Sequence, residues 1–473
     1  MISVLSPGLT RRPASPRLLA AVLVFLAVQS TAVASLGTPL LPTVQHVERV
    51  SLAASQWTLT ITLLAGAVAT PLMGRLGDGR LRRLTTVGAV AVMLAGCVLS
   101  AIPAGFPAFL TGRALQGAGL GLVPLATAVA RDDLPADRSR SAIVLIGVTT
   151  AAGIGIGYPL VGLLAQLLGL YAPFWFAAGL SALALAAALA VLPPSPARPA
   201  RVDTAGAVLL GAGIAGLLHV LTEGPDWGWT SAVTLAGAVA SAALLAAWAG
   251  WELHARHPLI ELRLLGRRAV LAANLTAFGI AIGFYPLASL AVRFAQTPPS
   301  AGYGLGAPVV VAAAMLAPFS LASFAASRFA ARAARRTSAE LVVAASCVLL
   351  IASMVLFLVA RDSYLGLVVI MAACGLGVGS AYAVNPLQIT GGVPAAETGS
   401  AISFYQLVRT VAYAIASALS ATVLVLSTPA GQPFPADAGY SAAALVSIAV
   451  LVATLAVSAL FVMRAPVRGK KRS

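Results

Sequence analysis

The chain has 473 residues, of which 59% are hydrophobic and only 9% are charged, and its formal net charge is +16 at pH 7. Soluble domains contain about 45–50% apolar and about 25% charged residues, so this composition excludes an ordinary soluble protein. Apolar stretches of about twenty residues recur along the chain, and each is long enough to cross a bilayer. We therefore expect an all-α membrane protein with the lipid bilayer as its immediate partner.

The breaks marked by Arg, Pro and Gly divide the apolar sequence into fourteen predicted transmembrane helices. In chain order, their approximate bounds are 18–42, 52–74, 84–103, 106–130, 141–169, 172–192, 204–222, 231–252, 269–291, 305–329, 340–360, 364–387, 399–427 and 440–463. An even number of spans places both termini on the same side of the membrane.

The basic residues determine the predicted orientation. If the N-terminus is cytoplasmic, 25 of the 30 basic residues fall in cytoplasmic segments, and only Arg49, Arg293 and Arg361 fall outside. Arg113 and Arg409 lie within predicted spans. Because basic loops remain cytoplasmic, this asymmetry predicts cytoplasmic termini and supports the span count. Basic residues spread over connectors also argue against a nucleic-acid partner, which would require a basic surface that neutralises phosphates.

Metal and cofactor chemistry find little support in the sequence. The three cysteines, Cys97, Cys347 and Cys374, all lie inside apolar stretches without paired spacing or neighbouring His or carboxylate residues. Such cysteines behave as small buried hydrophobic residues. We expect no metal, no cofactor and no enzymatic activity, since no nucleophile and base pair or phosphate-binding loop is recognisable.

Two pairs of segments indicate an internal repeat. Residues 74–83 align without a gap with residues 327–336, and residues 134–143 align with residues 393–402. These matches predict two six-helix bundles at 18–192 and 263–463, separated by a linker with two inserted helices at 193–262 and followed by a basic cytoplasmic tail at 464–473. Parallel six-helix repeats around a central cavity describe one class of secondary transporter. Ala- and Leu-rich sequence also produces chance matches.

The connector after the second span contains Gly74, Asp78, Arg82 and Arg83. It resembles the loop motif of the major facilitator superfamily, and the chain as a whole is similar to its fourteen-span drug:proton antiporter family. The resemblance implies that these four residues form a conformational latch, since an acid at a cytoplasmic helix end can pair with Arg in one of two conformations. The alternative is a solvated basic connector that only fixes the topology.

The span at 106–130 carries Arg113, Gln116, Gly117 and Gly121. The resemblance extends to this motif. Arg113 and Gln116 lie three residues apart on one helix face, and the two glycines form a seam for close helix contact. An Arg within the membrane is costly, so we expect it to face a cavity or a polar partner. Snorkelling of its side chain to the interface is the alternative.

The span at 141–169 contains Gly153, Gly157, Tyr158, Pro159 and Gly162. This run resembles the antiporter motif of the family, although Tyr158 stands where the family usually has Gly. The small residues permit close helix packing and the proline frees a backbone carbonyl, which predicts a bend. Generic packing is the alternative.

The span at 399–427 places Tyr405, Arg409 and Tyr413 on one face, with Gln406 beside Arg409. Residues spaced by four lie above one another on a helix. Aromatic rings next to a guanidinium offer stacking and hydrogen bonding. This face is the best candidate for a cavity wall in the second half.

The dipeptide Asn385-Pro386 falls at the end of the span at 364–387. We predict that it begins a loop, since X-Pro disfavours helix at the preceding residue. A broken helix end at a binding site is the alternative.

The resemblance implies an Asp in the first span, but this chain has Gln29 among several hydroxyl residues there. Gln29 is the corresponding cavity candidate. No carboxylate falls near the middle of any predicted span, so proton antiport lacks its usual titratable group. An interior with two Arg and no acid is expected to disfavour cations relative to neutral or anionic solutes.

The sequence therefore predicts a secondary transporter that exports small amphipathic molecules, such as drugs, antibiotics or metabolites, by alternating access, with proton coupling left open. A facilitator or importer of a neutral or anionic solute is the alternative, and a non-transporting membrane sensor is a remote one. Arg-rich and Ala-rich usage suggests a bacterial origin and hence the cytoplasmic (inner) membrane. We expect a monomer whose partners are a small-molecule substrate, lipid and, if coupled, protons.

Overall fold

A computed structural model describes residues 15–463 except 78, 196–202, 257, 259–261, 394–397 and 430. The described part folds into α-helices joined by short turns and 3₁₀ segments. In chain order these helices are α1 (Pro16–Ala34), α2 (Leu41–Val47), α3 (Leu52–Gly77), α4 (Arg82–Ala101), α5 (Phe106–Gly117), α6 (Leu122–Asp133), α7 (Ala136–Leu168), α8 (Ala172–Val191), α9 (Thr204–Trp227), α10 (Ala232–His254), α11 (Arg268–Gln296), α12 (Val309–Ala314), α13 (Ala317–Arg336), α14 (Ala339–Ala360), α15 (Tyr364–Gly392), α16 (Thr398–Leu426) and α17 (Asp437–Met463).

Eleven helical segments among the described residues are long and apolar enough to cross a membrane. They confirm the prediction of an all-α membrane protein. The other three expected spans coincide with α3, with the consecutive helices α5 and α6, and with α7. These three are not among the eleven, so the number fourteen remains a prediction.

Two expected helices are interrupted where glycine and proline accumulate. The first span divides into α1 and α2 around a 3₁₀ turn at Thr38–Leu40, and the fourth divides into α5 and α6 around Ala118–Gly121. The opposite holds in α15, which continues through Asn385 and Pro386 to Gly392. The prediction that this dipeptide begins a loop is therefore wrong. Asn385 is fully buried and its side-chain amide donates to the Ala273 carbonyl at 3.4 Å, so packing against α11 accompanies the continued helix.

Buried apolar side chains form two large clusters. One draws on residues 19–192, and the other draws on residues 280–451 together with Leu52 from α3. Helices α9 and α10 pack mainly against each other, and α9 also contacts α3 and α16. A smaller cluster joins α3, α9 and α16.

The two halves of the chain, which contain these clusters, pack against each other at two main sets of helices. Helix α3 packs along α16, and α7 packs against α12 and α13. The Gln56 amide donates to the Ser417 hydroxyl at 3.1 Å, and the Thr60 hydroxyl donates to the same oxygen at 3.0 Å. These contacts surround an internal cavity.

Candidate substrate cavity

A cavity of about 390 Å³ lies where α3, α7, α11, α13, α15 and α16 converge. Its wall is mostly apolar or aromatic, with a few hydroxyl groups and one guanidinium. The lining residues are Thr38, Leu59, Tyr158, Phe284, Tyr285, Ala288, Ser289, Leu316, Phe319, Ser320, Ser323, Met371, Cys374, Val378, Tyr382, Arg409 and Tyr413. Ligand pockets commonly measure roughly 300–1,000 Å³ and combine apolar walls with a few polar groups.

Arg409 is the charged residue of this wall, and tyrosines surround it. Its guanidinium carbon lies 3.8 Å from the ring centroid of Tyr382 and 5.7 Å from that of Tyr413. Nη2 donates to the Tyr413 hydroxyl at 2.8 Å, and Nη1 donates to the Gln406 side-chain oxygen at 2.9 Å. The structure thus brings three of the four residues predicted on this helix face into one hydrogen-bonded group, of which Arg409 and Tyr413 line the cavity and Gln406 does not.

Tyr405, the fourth of them, is placed differently. Its side chain is 1% exposed and packs in a cluster with α11 and α15, with the Arg409 guanidinium 5.5 Å from its ring. It is not among the lining residues. Tyr405 therefore lies next to Arg409 without lining the cavity.

Aromatic rings from other helices complete the wall. Tyr285 of α11 stacks on Tyr413 of α16 with ring centroids 4.8 Å apart, and Phe284 stacks on Phe319 at 6.1 Å. Tyr158 of α7, the residue that departs from the family motif, also lines the cavity. The phenol ring of Tyr158 therefore occupies space at the cavity that a glycine would leave empty.

The sequence prediction omitted Tyr285, Phe284, Tyr382 and Phe319. Aromatic residues make up only 6% of this chain, so their presence inside otherwise aliphatic spans was an available signal. Spacing along one helix offers no means of pairing α11 with α13, α15 or α16, because these contacts depend on how the helices pack.

Arg113 and Gln116 form a buried polar group beside the cavity. Arg113 is 1% exposed; its Nε donates to the Thr58 carbonyl at 3.1 Å, and its Nη1 donates to the Gln116 side-chain oxygen. The Gln116 amide donates to the Gly96 carbonyl at 3.2 Å. Neither residue lines the cavity, but Thr58 precedes the lining residue Leu59. The group ties α5 to α3 and α4.

Gln29 lies within the first bundle. It is fully buried, and its amide donates to the Ser181 hydroxyl of α8 at 2.7 Å. It does not appear in the cavity wall. The structure therefore does not bring Gln29 together with Arg409.

The predicted motif in α7 lies against neighbouring helices, with Pro159 inside the continuous helix. A Cβ at Gly157 would lie 2.4 Å from the Ser35 Oγ, and a Cβ at Gly162 would lie 2.6 Å from the Ala313 Cβ of α12. These glycines permit contact with both halves. Gly153 also belongs to α7.

The predicted latch is only partly described. Gly74 belongs to α3, whereas Asp78 lies outside the described residues. Arg82, at the start of α4, is buried and forms ion pairs with Asp132 at 3.0 Å and Asp133 at 2.5 Å. The carboxylates that pair with Arg82 thus lie at the end of α6, and the motif-based prediction did not include them. In the sequence, both follow directly after the predicted span that contains Arg113.

Arg83 has different partners from Arg82. Its guanidinium donates to the Leu189 carbonyl at 2.8 Å, and its backbone N–H donates to the Ser195 hydroxyl at 2.9 Å. Arg82 and Arg83 therefore connect α4 to two different segments of the first half. Partial burial raises the pKa of the Asp133 carboxyl, although neighbouring Arg82 opposes this shift.

The other described carboxylates also lie at helix ends. Asp437 pairs with Arg361 at 2.8 Å, and Glu48 accepts a hydrogen bond from the Tyr171 hydroxyl at 2.7 Å. Partial burial and the neighbouring carboxylate raise the pKa of Tyr171 to about 12. Among the described residues that line the cavity there is no Asp or Glu. The described part also contains no group of three His, Cys, Asp or Glu residues that could hold a metal ion.

A second pocket, of about 370 Å³, opens near the ends of α2 and α11 that lie opposite the Arg-rich connectors. We call it the outer pocket; it is lined by Pro42, Gln45, His46, Arg49, Val50, Arg293, Gln296, Thr297, Pro433, Phe434 and Pro435. Arg293 donates to the Gln45 side-chain oxygen at 2.8 Å, and the Gln296 amide donates to the Pro39 carbonyl at 3.3 Å. These bonds join the two halves.

Long apolar helices packed around a cavity define a polytopic membrane protein, and residues 18–417 match the Major Facilitator Superfamily. The chain belongs to this family. It is therefore a multi-pass membrane protein of this family.

Several bacterial proteins are similar to parts of the chain. It is 34% identical over 266 residues to the tetracenomycin C resistance and export protein of Streptomyces glaucescens, covering 54% of this chain and 47% of that protein. It is 31% identical over 238 residues to a multidrug resistance protein B homolog of Mycobacterium tuberculosis, covering 48% of this chain and 43% of the relative. The chain spans less than half the length of the curated relatives it matches.

Solved structures share the fold at low sequence identity. An auto-inhibited peptide transporter of the POT family superposes with a TM-score of 0.67 and 18% identity, covering 98% of this chain and 99% of that one. The nucleoside transporter NupG superposes with a TM-score of 0.64 and 14% identity, covering 94% and 99%. At this identity the likeness concerns the fold alone.

Proposed function

We propose that this chain is a secondary transporter of the fourteen-span drug antiporter type, which exports small amphipathic molecules by alternating access. The observation that carries the proposal is the cavity of about 390 Å³ formed by helices from both halves. Its apolar and aromatic wall with few polar groups suits amphipathic molecules, since such pockets bury most of a ligand's surface. The names of the resistance and export relatives agree with this direction.

The membrane arrangement proposed here has two six-helix bundles, an inserted pair and cytoplasmic termini in the inner membrane of a bacterium. Two separate apolar clusters, drawn from residues 19–192 and 280–451, support the bundles. Helices α9 and α10, which pack mainly on each other, correspond to the inserted pair. The distribution of Arg supports the orientation.

The proposal is tested by filling the cavity. Ser320 lines the cavity and is 4% exposed, whereas the next residue, Leu321, is 70% exposed on the outside of α13. Ser320→Trp should reduce accumulation of tetracenomycin C in everted membrane vesicles to the level of vesicles without the protein. Leu321→Trp is the matched control and should retain transport, because its side chain faces lipid.

Both variants are first compared by size-exclusion chromatography and thermal unfolding, so that a loss of transport is not a loss of folding. Carboxyfluorescein, an anionic dye, serves as a second transport probe. If vesicles that contain the folded wild type accumulate neither compound, the proposal of an exporter is wrong. If Ser320→Trp transports as well as Leu321→Trp, the cavity is not the route.

Coupling is the point at which this chain departs from a proton antiporter. The described cavity wall contains Arg409 and no carboxylate, and Arg does not release its proton in a useful range. A facilitator or importer of a neutral or anionic solute is the second candidate favoured by this observation. Transport by proteoliposomes with and without an imposed pH gradient separates the two candidates. Movement against the solute gradient that requires the pH gradient would establish coupled transport.

A further inference from the structure

The charge of the binding site follows from the surroundings of Arg409. Its hydrogen-bond partners, Gln406 and Tyr413, are neutral, and the rings nearest to its guanidinium belong to tyrosines. No ion pair of Arg409 occurs among the described residues, and the cavity wall contains no acid there. Arg409 is partly buried in this apolar wall, and a charge in apolar surroundings is usually paired. The cavity therefore has a positive charge that lacks a counter-ion among the described residues.

Two hydroxyl groups of the same wall are also unsatisfied. The Tyr382 and Ser320 hydroxyls are buried and have no hydrogen-bond partner of normal geometry. Both residues line the cavity. Buried polar groups nearly always have a partner, so exceptions at a cavity indicate groups that a ligand can satisfy. Hydroxyl donors beside a guanidinium suit an oxyanion.

The outer pocket has the same electrostatic sign. Its wall includes Arg49 and Arg293, and no Asp or Glu occurs among the described lining residues. Arg293 is 5% exposed, and its partners Gln45 and Ser55 are neutral. A cleft lined by one sign of charge concentrates ions of the opposite sign.

The two sites follow one another along α11. Ala288 and Ser289 line the cavity, and Arg293, Gln296 and Thr297 line the outer pocket. Four residues of helix rise about 6 Å, so Ser289 and Arg293 are about one turn apart. A solute that leaves the cavity on this side passes from Arg409 towards Arg293.

We propose that the cavity selects small aromatic anions. The aromatic body lies among the Tyr285, Tyr413 and Phe284 rings, the carboxylate or sulfonate pairs with Arg409, and the outer pocket receives the anion on its way out. The exit step rests on the proposed function, whereas the binding step does not. The names of the export relatives do not give the charge of the solute. The expected negative charge follows from the Arg residues and the acid-free walls of the two pockets in this chain.

The test uses three probes with one aromatic skeleton: naphthalene-2-sulfonate, neutral 2-naphthol and the cation 2-naphthyltrimethylammonium. Binding to the purified full chain in detergent is measured by equilibrium dialysis and by the ligand-dependent shift in unfolding temperature. We expect the anion to bind most tightly and the cation most weakly. Equal or tighter binding of the cation would overturn the proposal.

Arg409→Gln removes the charge while retaining a hydrogen-bonding amide. It should weaken naphthalene-2-sulfonate binding by about tenfold or more, because a hydrogen bond to a charged group is lost. Binding of 2-naphthol should change little. The exposed Arg335 at the end of α13 offers the control Arg335→Gln, which should leave all three affinities unchanged. Unchanged sulfonate binding in a folded Arg409→Gln protein contradicts the assigned site, and Arg409→Lys tests whether charge alone suffices.

Efflux of the same probes from proteoliposomes separates this inference from the proposed function. If the anion binds through Arg409 but neither charged probe crosses the membrane faster than in protein-free liposomes, the exporter proposal fails and the anion site remains. If the probes are transported and the cation moves as fast as the anion, the transporter remains and the anion selectivity fails.

Discussion

Arg113 shows how a single charged residue can be held inside a membrane protein without lining a binding site. A guanidinium at the centre of a bilayer costs about 2.5–3.5 kcal/mol on insertion scales. Here Arg113 is 1% exposed and donates to the Thr58 carbonyl and the Gln116 side chain. A Cβ at Gly37 would lie 2.9 Å from its Nη2 and 2.1 Å from Leu59 Cδ2. Glycine at position 37 therefore leaves space for both the Arg113 and the Leu59 side chains.

Replacing Arg113 by Lys should destabilise the protein although it keeps the charge. A single ammonium cannot reproduce the planar arrangement of donors, so one buried acceptor loses its partner at a cost of about 1–3 kcal/mol. The expected result is a lower unfolding temperature in detergent. The exposed Arg335→Lys is the control and should unfold as the wild type does. An unchanged unfolding temperature for Arg113→Lys would show that the hydrogen bonds contribute little.

The single helix α7 contains both small residues that pack against neighbouring helices and a residue of the cavity wall. Gly157 lies against Ser35 of the first half, and Gly162 lies against Val309 and Ala313 of the second. Tyr158, between them in sequence, lines the cavity. Close approach of helices at small residues is typical of membrane proteins, because dispersion and packing drive their association. The same helix therefore determines both the contact between the halves and one side of the wall.

Adding one methyl group at Gly162 should weaken the contact between α7 and α12. The new Cβ would lie 2.6 Å from the Ala313 Cβ and 3.0 Å from the Val309 carbonyl oxygen, so the helices must separate. Overpacking of this kind costs about 1–3 kcal/mol, which thermal unfolding of Gly162→Ala measures. The double variant Gly162→Ala with Ala313→Gly should recover part of the loss. A double variant as unstable as the single one would mean that the Val309 backbone, and not Ala313, limits the space.

Across the whole molecule, polar contacts between the halves are found on the side opposite the Arg-rich connectors. Arg293 joins α11 to Gln45 of α2 and to Ser55 of α3, and Gln296 donates to the Pro39 carbonyl. The described ion pairs of Arg82 at the other end remain within the first half. Alternating access requires two arrangements of the halves, and in this arrangement these hydrogen bonds join the halves on the side opposite the Arg-rich connectors.

Removing the Arg293 contacts should favour opening of the outer side. All three cysteines are buried in this arrangement, but Cys374 lines the cavity, whereas Cys97 and Cys347 lie elsewhere. In intact cells, a membrane-impermeant thiol reagent added outside should label Cys374 faster in Arg293→Ala than in the wild type. Cys374→Ser in both backgrounds measures labelling of the other two cysteines. Equal labelling rates would indicate that Arg293 does not hold the outer side closed.

The positions of the apolar helices were predictable because hydropathy along the chain is a local property. The grouping of Arg409 with Gln406 and Tyr413, and that of Arg113 with Gln116, was predictable for the same reason, since residues three or four apart share a helix face. The sequence by itself thus determined the membrane-spanning class, the helix positions and the absence of acids near the middle of the spans.

Only the tertiary structure decided which helix faces meet. Tyr158, Tyr285, Tyr382 and Arg409 come from four different helices, and their convergence depends on helix packing. Packing also separated Arg409, which lines the cavity, from Arg113, which is enclosed between helices. Lipid tails and apolar side chains have similar polarity, so hydropathy cannot distinguish a face towards lipid from a face towards another helix. Which residues line the cavity therefore depends on packing between helices.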